Sequence, residues 1–366
     1  MHKQAEQQKN SYIIYVLWGL LSLAILCISI WTSLAFWVQF PLSISLKYIT
    51  IALWWLLTLT VLGTLFKYLK DKYLTAHLVF LRRFYQSLFI YLFCFLGVLY
   101  WWQTIEPQQD RQWAEEVSRL LEVDQQGSNV TLHNVRNFDW YSPTEFNPRW
   151  ETRQYDLDQL SSLDVITSYW MGPQIAHVLL SFGFDNGEYL TFSIETRREQ
   201  TESFSTIGGF FRKFELSLIA ADERDILYTR SNIRGEQVYL YRMDISRQNI
   251  RRLFEAYLDE ANQLKQAPRF YNTLTSNCTT IVFDMARIID PGLPVDYRII
   301  LSGYLPQYIY DQNGLKPHIP FKQLKQHAYV NPHATQYAVS GNNSSQAYSK
   351  AIRQGVLAPI PSPSLQ

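Results

Sequence analysis

Cys278 is the side chain in this sequence best suited to covalent chemistry. It lies in YNTLTSNCTT (271–280), just before TTIVFDMARII, whose apolar spacing predicts a helix starting at or next to the cysteine. A helix start presents N–H groups without intrahelical partners and the positive end of the helix dipole. Both favour thiolate over thiol, and the same N–H groups could hold an oxyanion during acyl transfer. Such a nucleophile needs a base, and the base needs a group that orients it. The segments IAHVLLSFGF and EYLTFSIET each alternate apolar with polar residues and are joined by Asp185-Asn186-Gly187, a strong hairpin signal. With Asn186 at the tip, Leu180 faces Phe192 and His177 faces Glu195. Val178, Leu180, Phe182 and Phe184 then share one face with Leu190, Phe192 and Ile194, while His177, Ser181, Thr191, Ser193 and Glu195 share the other. The candidate catalytic residues are therefore Cys278, His177 and Glu195, with Ser193 an alternative to Glu195 for steering the imidazole. Residue types alone leave a plain structural reading open, because a Cys near a helix start is often a small packed residue and a strand His is often just hydrogen-bonded.

Other chemistries find less support. His133, His318, His327 and His333 lack zinc-ligand spacing, and Cys278 has no second thiol nearby, so no metal is expected. Gly208-Gly209 is an isolated pair rather than a phosphate loop, and no cofactor is expected. A net charge of +1 gives no nucleic-acid footprint. Cys27 and Cys94 lie in apolar runs, so Cys278 cannot form a disulfide within the polar part of the chain.

The elements that must position these residues divide into a greasy N-terminal part and a polar remainder, which together give a mean hydropathy of only −0.14. Three runs are long and apolar enough to span a bilayer: Ile13 to Trp37, Tyr48 to Phe66 and Phe84 to Trp102. The loop between the second and third runs carries Lys67, Lys70, Lys72, Arg82 and Arg83; that between the first and second carries only Lys47, and the N-terminus carries Lys3 and Lys9. Basic ends stay in the cytoplasm, which puts the N-terminus inside and everything after Trp102 outside. In a bacterium with two membranes this is an inner-membrane protein with a C-terminal periplasmic domain.

The expected organisation is a transmembrane region 1–103, a folded α+β domain 104–337 and a tail 338–366 without a core pattern. RQWAEEVSRLLEV reads as a helical connector, VTLHNVRNF as a strand, and 137–155 as an ordered loop. VYLYRMDI (238–245) reads as a strand, and SRQNIRRLFEAYLDEANQLKQ as an amphipathic helix capped by Ser246.

The ordered series WYSPTEFNPRWETRQYDLDQL, SYWMGPQIAHVLLSFGF, FSIETRREQTESFSTIGGFFRKFELSLIAADERD and YNTLTSNCTT resembles a bacterial family named after the N-terminal periplasmic domain of Lnb, a lipoprotein N-acyltransferase. The likeness covers roughly 130–300. It implies a circularly permuted papain-like fold, in which a strand His precedes a Cys at the start of a helix; His177 and Cys278 match those positions, and Glu195 matches a family position. It further implies a thiol acyltransferase using no cofactor, with membrane lipids and lipoproteins as partners. Arg197, Arg198, Arg212, Lys213, Arg224 and Arg230 would then be available for a phosphate head group, and Trp140, Tyr141, Trp150, Tyr169 and Trp170 for an acyl groove. Lnb itself carries its membrane helices after the periplasmic domain, whereas here the apolar runs come first. A cysteine peptidase or amidase acting on cell-wall peptides and a non-enzymatic envelope protein remain alternatives.

Overall fold

The computed structural model describes residues 2–70, 74–315, 319–341 and 343–356, so Lys72, His318 and the segment 357–366 lie outside the described residues. The chain divides into two compact units, 1–106 and 107–366.

The first unit is three helices, α1 (His2–Gln39), α2 (Ile44–Lys70) and α3 (Leu74–Gln103). Each contains a stretch long and apolar enough to cross a membrane. Side chains such as Leu53, Phe89 and Tyr100 are exposed, which a lipid solvent requires. The buried stripe of α2, Trp54, Thr58, Val61 and Leu65, repeats at helical spacing. At its centre Ser29 Oγ lies 2.9 Å from Thr58 Oγ1 and 2.8 Å from Tyr91 Oη, so one polar cluster joins all three helices.

The second unit is α+β, built on a sheet of β1 (Glu122–Gln126), β2 (Asn129–Arg136), β5 (Trp150–Asp156), β6 (Leu160–Tyr169), β7 (His177–Phe184), β8 (Tyr189–Arg197), β9 (Glu215–Ala221) and β10 (Gln237–Arg242). The order is β1-β2-β9-β8-β7-β6-β10, with β5 also on β2; every pairing is antiparallel except β2 with β9. The small hairpin of β3 (Asp139–Trp140) and β4 (Phe146–Asn147) stands apart. The helices are α4 (Thr206–Phe210), α5 (Glu223–Tyr228), α6 (Arg247–Gln266), α7 (Thr280–Ile289), α8 (Leu305–Asp311), α9 (Phe321–His327), α10 (Asn331–Val339) and α11 (Ser345–Ile352).

The β7–β8 hairpin takes the expected register, Leu179↔Ser193, Leu180↔Phe192 and Phe182↔Leu190. Gly187, at φ 81°, supplies the turn conformation an L side chain resists. The Val178–Phe184 face packs against Phe254 and Tyr257 of α6 and Val282 and Phe283 of α7 in one core. Ser246 caps α6 by accepting from Asn249 N–H, as its sequence predicts.

Three expectations change. The connector 111–123 is not helical beyond a single 3₁₀ turn at 115–117. Its backbone instead pairs with the strand end, Ala114 N–H donating to Arg198 O at 2.9 Å, and it buries Trp113, Val117 and Leu121; tertiary burial overrides a helical composition. The stretch 137–155 contains strands as well as loop. Residues after 338 do not all form a tail, because α11 buries Tyr348 and Ile352 completely in a second core with Leu179, Ile219 and Leu227. That core covers the polar face of the hairpin.

Candidate active site

The backbone before His177 is fixed from a distant loop. Ala176 N–H donates to Ser302 Oγ at 2.9 Å, and Ser302 Oγ donates to Ala176 O at 2.7 Å. Gly303 packs so closely on the same segment that a Cβ would stand 2.2 Å from Pro173 O. His177 is therefore held at the mouth of β7 with little freedom to shift.

Cys278 comes from the other side of the sheet. Its loop is closed by the Asn272↔Ser276 bridge and by Asn277 Nδ2 donating to Thr273 O at 2.8 Å. The β7–β8 ladder ends at Leu179↔Ser193, and the backbone N–H of Val178 helps to lower the pKa of the Cys278 thiol. A thiol carried at a helix start thus meets an imidazole carried on a strand, and each shifts the ionisation of the other.

The expected source of thiolate stabilisation is only partly right. α7 begins at Thr280, but Asn277 Oδ1 accepts from the N–H groups of Thr279 at 2.8 Å and Thr280 at 3.0 Å. The side chain before the cysteine occupies the donors that the sequence offered to an oxyanion. The thiolate depends instead on His177, the Val178 N–H and Thr279 Oγ1, 3.9 Å from the sulfur.

His177 Nε2 lies 2.7 Å from Ser193 Oγ and 3.2 Å from Glu195 Oε1, and Ser193 Oγ donates to Glu195 Oε1 at 2.7 Å. Both groups left open for steering the imidazole therefore reach it. Glu195 Oε1 also accepts from Arg230 NH2 at 2.9 Å. Burial and the Arg230 charge oppose a protonated imidazole, but Glu195 and the thiolate outweigh them and raise the His177 pKa to about 9. Burial pushes the Cys278 thiol up, and His177 with the Val178 N–H more than reverses this. Glu195 is held well below the ordinary carboxyl range; burial works against this and the two cations prevail. The arrangement favours a thiolate–imidazolium pair, the protonation state a cysteine nucleophile needs.

These groups line a cavity of about 520 Å³ with Trp170, Met171, Phe204, Phe210, Leu274 and Ile300. All six are exposed, Met171 to 61% and Phe204 to 53%. Large apolar side chains left in water around a reactive group mark a binding surface.

Of the aromatic residues expected in a groove, Trp140 and Trp170 reach this cavity, while Tyr141, Trp150 and Tyr169 are not among its lining residues. Among the basic residues, Arg198 and Arg230 line it; Arg197 is spent on the carbonyls of Val117 and Ser118, and Arg224 on Asp139 at 2.5 Å. Arg234 and Glu236 also line it and were not foreseen. They follow a π-helical turn, Thr229–Ile233, which shows neither the helical nor the strand period from which sequence patterns are read.

Residues 146–303 match the model of the Lnb N-terminal periplasmic domain family. This part of the chain is similar to the Lnb N-terminal periplasmic domain. His177, Ser193, Glu195, Arg230 and Cys278 all fall inside the matched Lnb segment, whereas α10 and α11 lie beyond it. Three helices apolar enough to span a membrane and the match to a periplasmic-domain family support a membrane protein with a periplasmic domain. No curated protein and no solved structure compared with the chain matches it.

Proposed function

We propose that this protein is a bacterial inner-membrane, thiol-dependent acyltransferase whose N-terminus is cytoplasmic and whose Lnb domain works on acyl esters of lipids or lipoproteins in the periplasm. The observation that carries this reading is the Cys278–His177–Ser193/Glu195 chain of contacts inside a cavity with apolar lips. A peptidase cleft would be expected to line its mouth with polar groups for a peptide backbone; six exposed apolar side chains suit an acyl chain better.

In the proposed reaction the Cys278 thiolate attacks an ester carbonyl and forms the C–S bond. The tetrahedral oxyanion collapses, the C–O bond breaks, and the departing alkoxide takes the proton of the His177 imidazolium. The neutral imidazole then removes a proton from an amine as it attacks the thioester. Collapse of that second intermediate releases the thiolate and an amide, and the ion pair is restored. Glu195 and Ser193 keep the imidazole oriented, and Glu195 stabilises its charge. Water in place of the amine turns the same sequence into ester hydrolysis.

Mass spectrometry of Cys278 after mixing the detergent-solubilised chain with p-nitrophenyl decanoate tests the nucleophile. A decanoyl adduct on Cys278, absent from Cys278→Ser and His177→Ala, is the expected result. Wild-type protein that never acquires the adduct would remove the thiol mechanism and leave a tethered envelope protein. Mass spectra of lipoprotein N-termini from cells with and without the protein then identify the acceptor; unchanged termini would point to water or another amine.

A further inference from the structure

We infer that Arg234 forms an anion subsite inside the Cys278 cavity and that its ligand is the phosphate of a glycerophospholipid acyl donor. The inference deepens the acyl-transfer reading and rests on it. Four arginines line the cavity, and three are committed elsewhere. Arg136 makes a two-pronged pair with Asp225 at 2.9 and 3.1 Å, Arg198 is held by Glu116 and by Glu202 O, and Arg230 bridges Glu195 and Glu236.

Arg234 differs. Its guanidinium makes no side-chain hydrogen bond to any described residue, and its one ion pair is a loose 3.9 Å approach to Glu236. That carboxylate is already engaged by Arg230 and by Ser168 Oγ. The Arg234 side chain is 35% exposed and lies over the Trp140 ring at 5.8 Å. Burial and the neighbouring Arg230 charge push its pKa below the ordinary guanidinium value, so a further anion at this corner would be welcome. Among the described residues the buried Nε of Arg230 also has no hydrogen-bond partner.

A guanidinium fork whose one described ion pair is this loose suits phosphate oxygens, which it can bind two at a time. The cavity also carries Glu116, Glu195 and Glu236, each already engaged by an arginine, and the exposed apolar side chains of Trp170, Met171 and Phe204. One guanidinium without a close carboxylate, beside exposed aromatic and aliphatic side chains, matches an amphiphile whose acyl ester sits a few bonds from a single phosphate, rather than an acidic peptide that needs several such cations along its length.

The test uses the full chain in non-ionic detergent and reads iodoacetamide alkylation at the Cys278 peptide by mass spectrometry, a readout that needs no turnover. Dihexanoyl phosphatidylglycerol should slow alkylation at a concentration roughly tenfold lower than dihexanoylglycerol, the gain expected of charge-assisted hydrogen bonds. Arg234→Gln should erase that difference without changing alkylation of the unliganded protein, and Arg234→Lys should keep part of it. Equal protection by the two lipids in wild type, no protection by either, or an unchanged preference in Arg234→Gln would overturn the subsite. Inorganic phosphate should protect poorly by itself; protection equal to that by the phospholipid would assign the site to free phosphate and overturn the lipid reading. Failure of the thiol mechanism shows separately, as absence of the Cys278 acyl adduct.

Discussion

His177 Nε2 and Glu195 Oε1 lie 3.2 Å apart, and Ser193 Oγ bridges them at 2.7 Å from each. Glu195 therefore reaches the imidazole both directly and through a hydroxyl, so the two substitutions should differ in cost. Glu195→Gln removes the charge that favours imidazolium and should lower the acylation rate on the order of 10²–10⁴-fold, as loss of an orienting carboxylate does elsewhere. Ser193→Ala leaves the direct contact and should cost about tenfold or less, the scale of one neutral hydrogen bond. Acylation rates of Cys278 with p-nitrophenyl decanoate measure both. A larger loss in Ser193→Ala than in Glu195→Gln would make the hydroxyl the orienting group.

The lowered thiol and raised imidazole predict two different pH profiles. The Cys278 thiol ionises below the ordinary thiol value, so the midpoint of its alkylation profile should lie at lower pH than that of a free thiol. In His177→Asn the burial that raises the thiol remains and its main opponent is gone, so the alkylation midpoint should move up in pH. Acylation also needs the proton on His177, whose pKa is about 9. Its rate should decline as pH rises through that value while alkylation continues. Coincident profiles for the two reactions would show that the imidazolium is not the acid for the leaving group.

Much of this site was legible because it rests on local signals. Alternating residues on either side of Asn186-Gly187 set the register of β7 and β8, and the apolar period after Cys278 set α7. The missing parts depend on long-range pairing. β6 carries Ser161, Ser162, Asp164, Thr167 and Ser168, a composition that reads as loop until its partners are known. Asp164 is fully buried because Arg242 and Arg353 neutralise it, the latter 189 positions away. No window of sequence contains that information. Asn277 likewise read as a residue beside the nucleophile, and only its geometry reveals that it caps the helix.

Gly303 should tolerate no side chain. A Cβ there would approach Pro173 O to 2.2 Å and Gln174 C to 2.8 Å, both backbone atoms that cannot swing aside. Gly303→Ala must therefore push the 173–176 segment, and with it the backbone entering His177. The expected outcome is a loss of about 1–3 kcal/mol in stability, the usual cost of overpacking, together with slower acylation of Cys278. Thermal unfolding and acylation rate measured on one sample check this. A variant with wild-type acylation would show that His177 does not depend on the Ser302–Gly303 loop for its position.

Arg353 ties α11 to the sheet. Its guanidinium meets Asp164 Oδ2 at 2.8 Å and Glu223 Oε1 at 2.6 Å, two carboxylates without solvent exposure, and its carbon centre lies 3.3 Å from the centre of the Tyr189 ring. Arg353→Ala would leave Glu223 buried with, among the described residues, only Ser181 Oγ as its side-chain hydrogen-bond donor, while Asp164 would keep Arg242. Removing one partner of a buried pair typically costs about 3–5 kcal/mol, because the remaining charge loses its compensation. For a domain of this size that corresponds to a fall in Tm on the order of 10 °C. Alkylation of Cys278 well below the new Tm should keep the wild-type rate, since Arg353 does not line the reactive cavity. An unaltered Tm would mean that α11 is held by Tyr348 and Ile352 alone and that the ionic latch adds nothing.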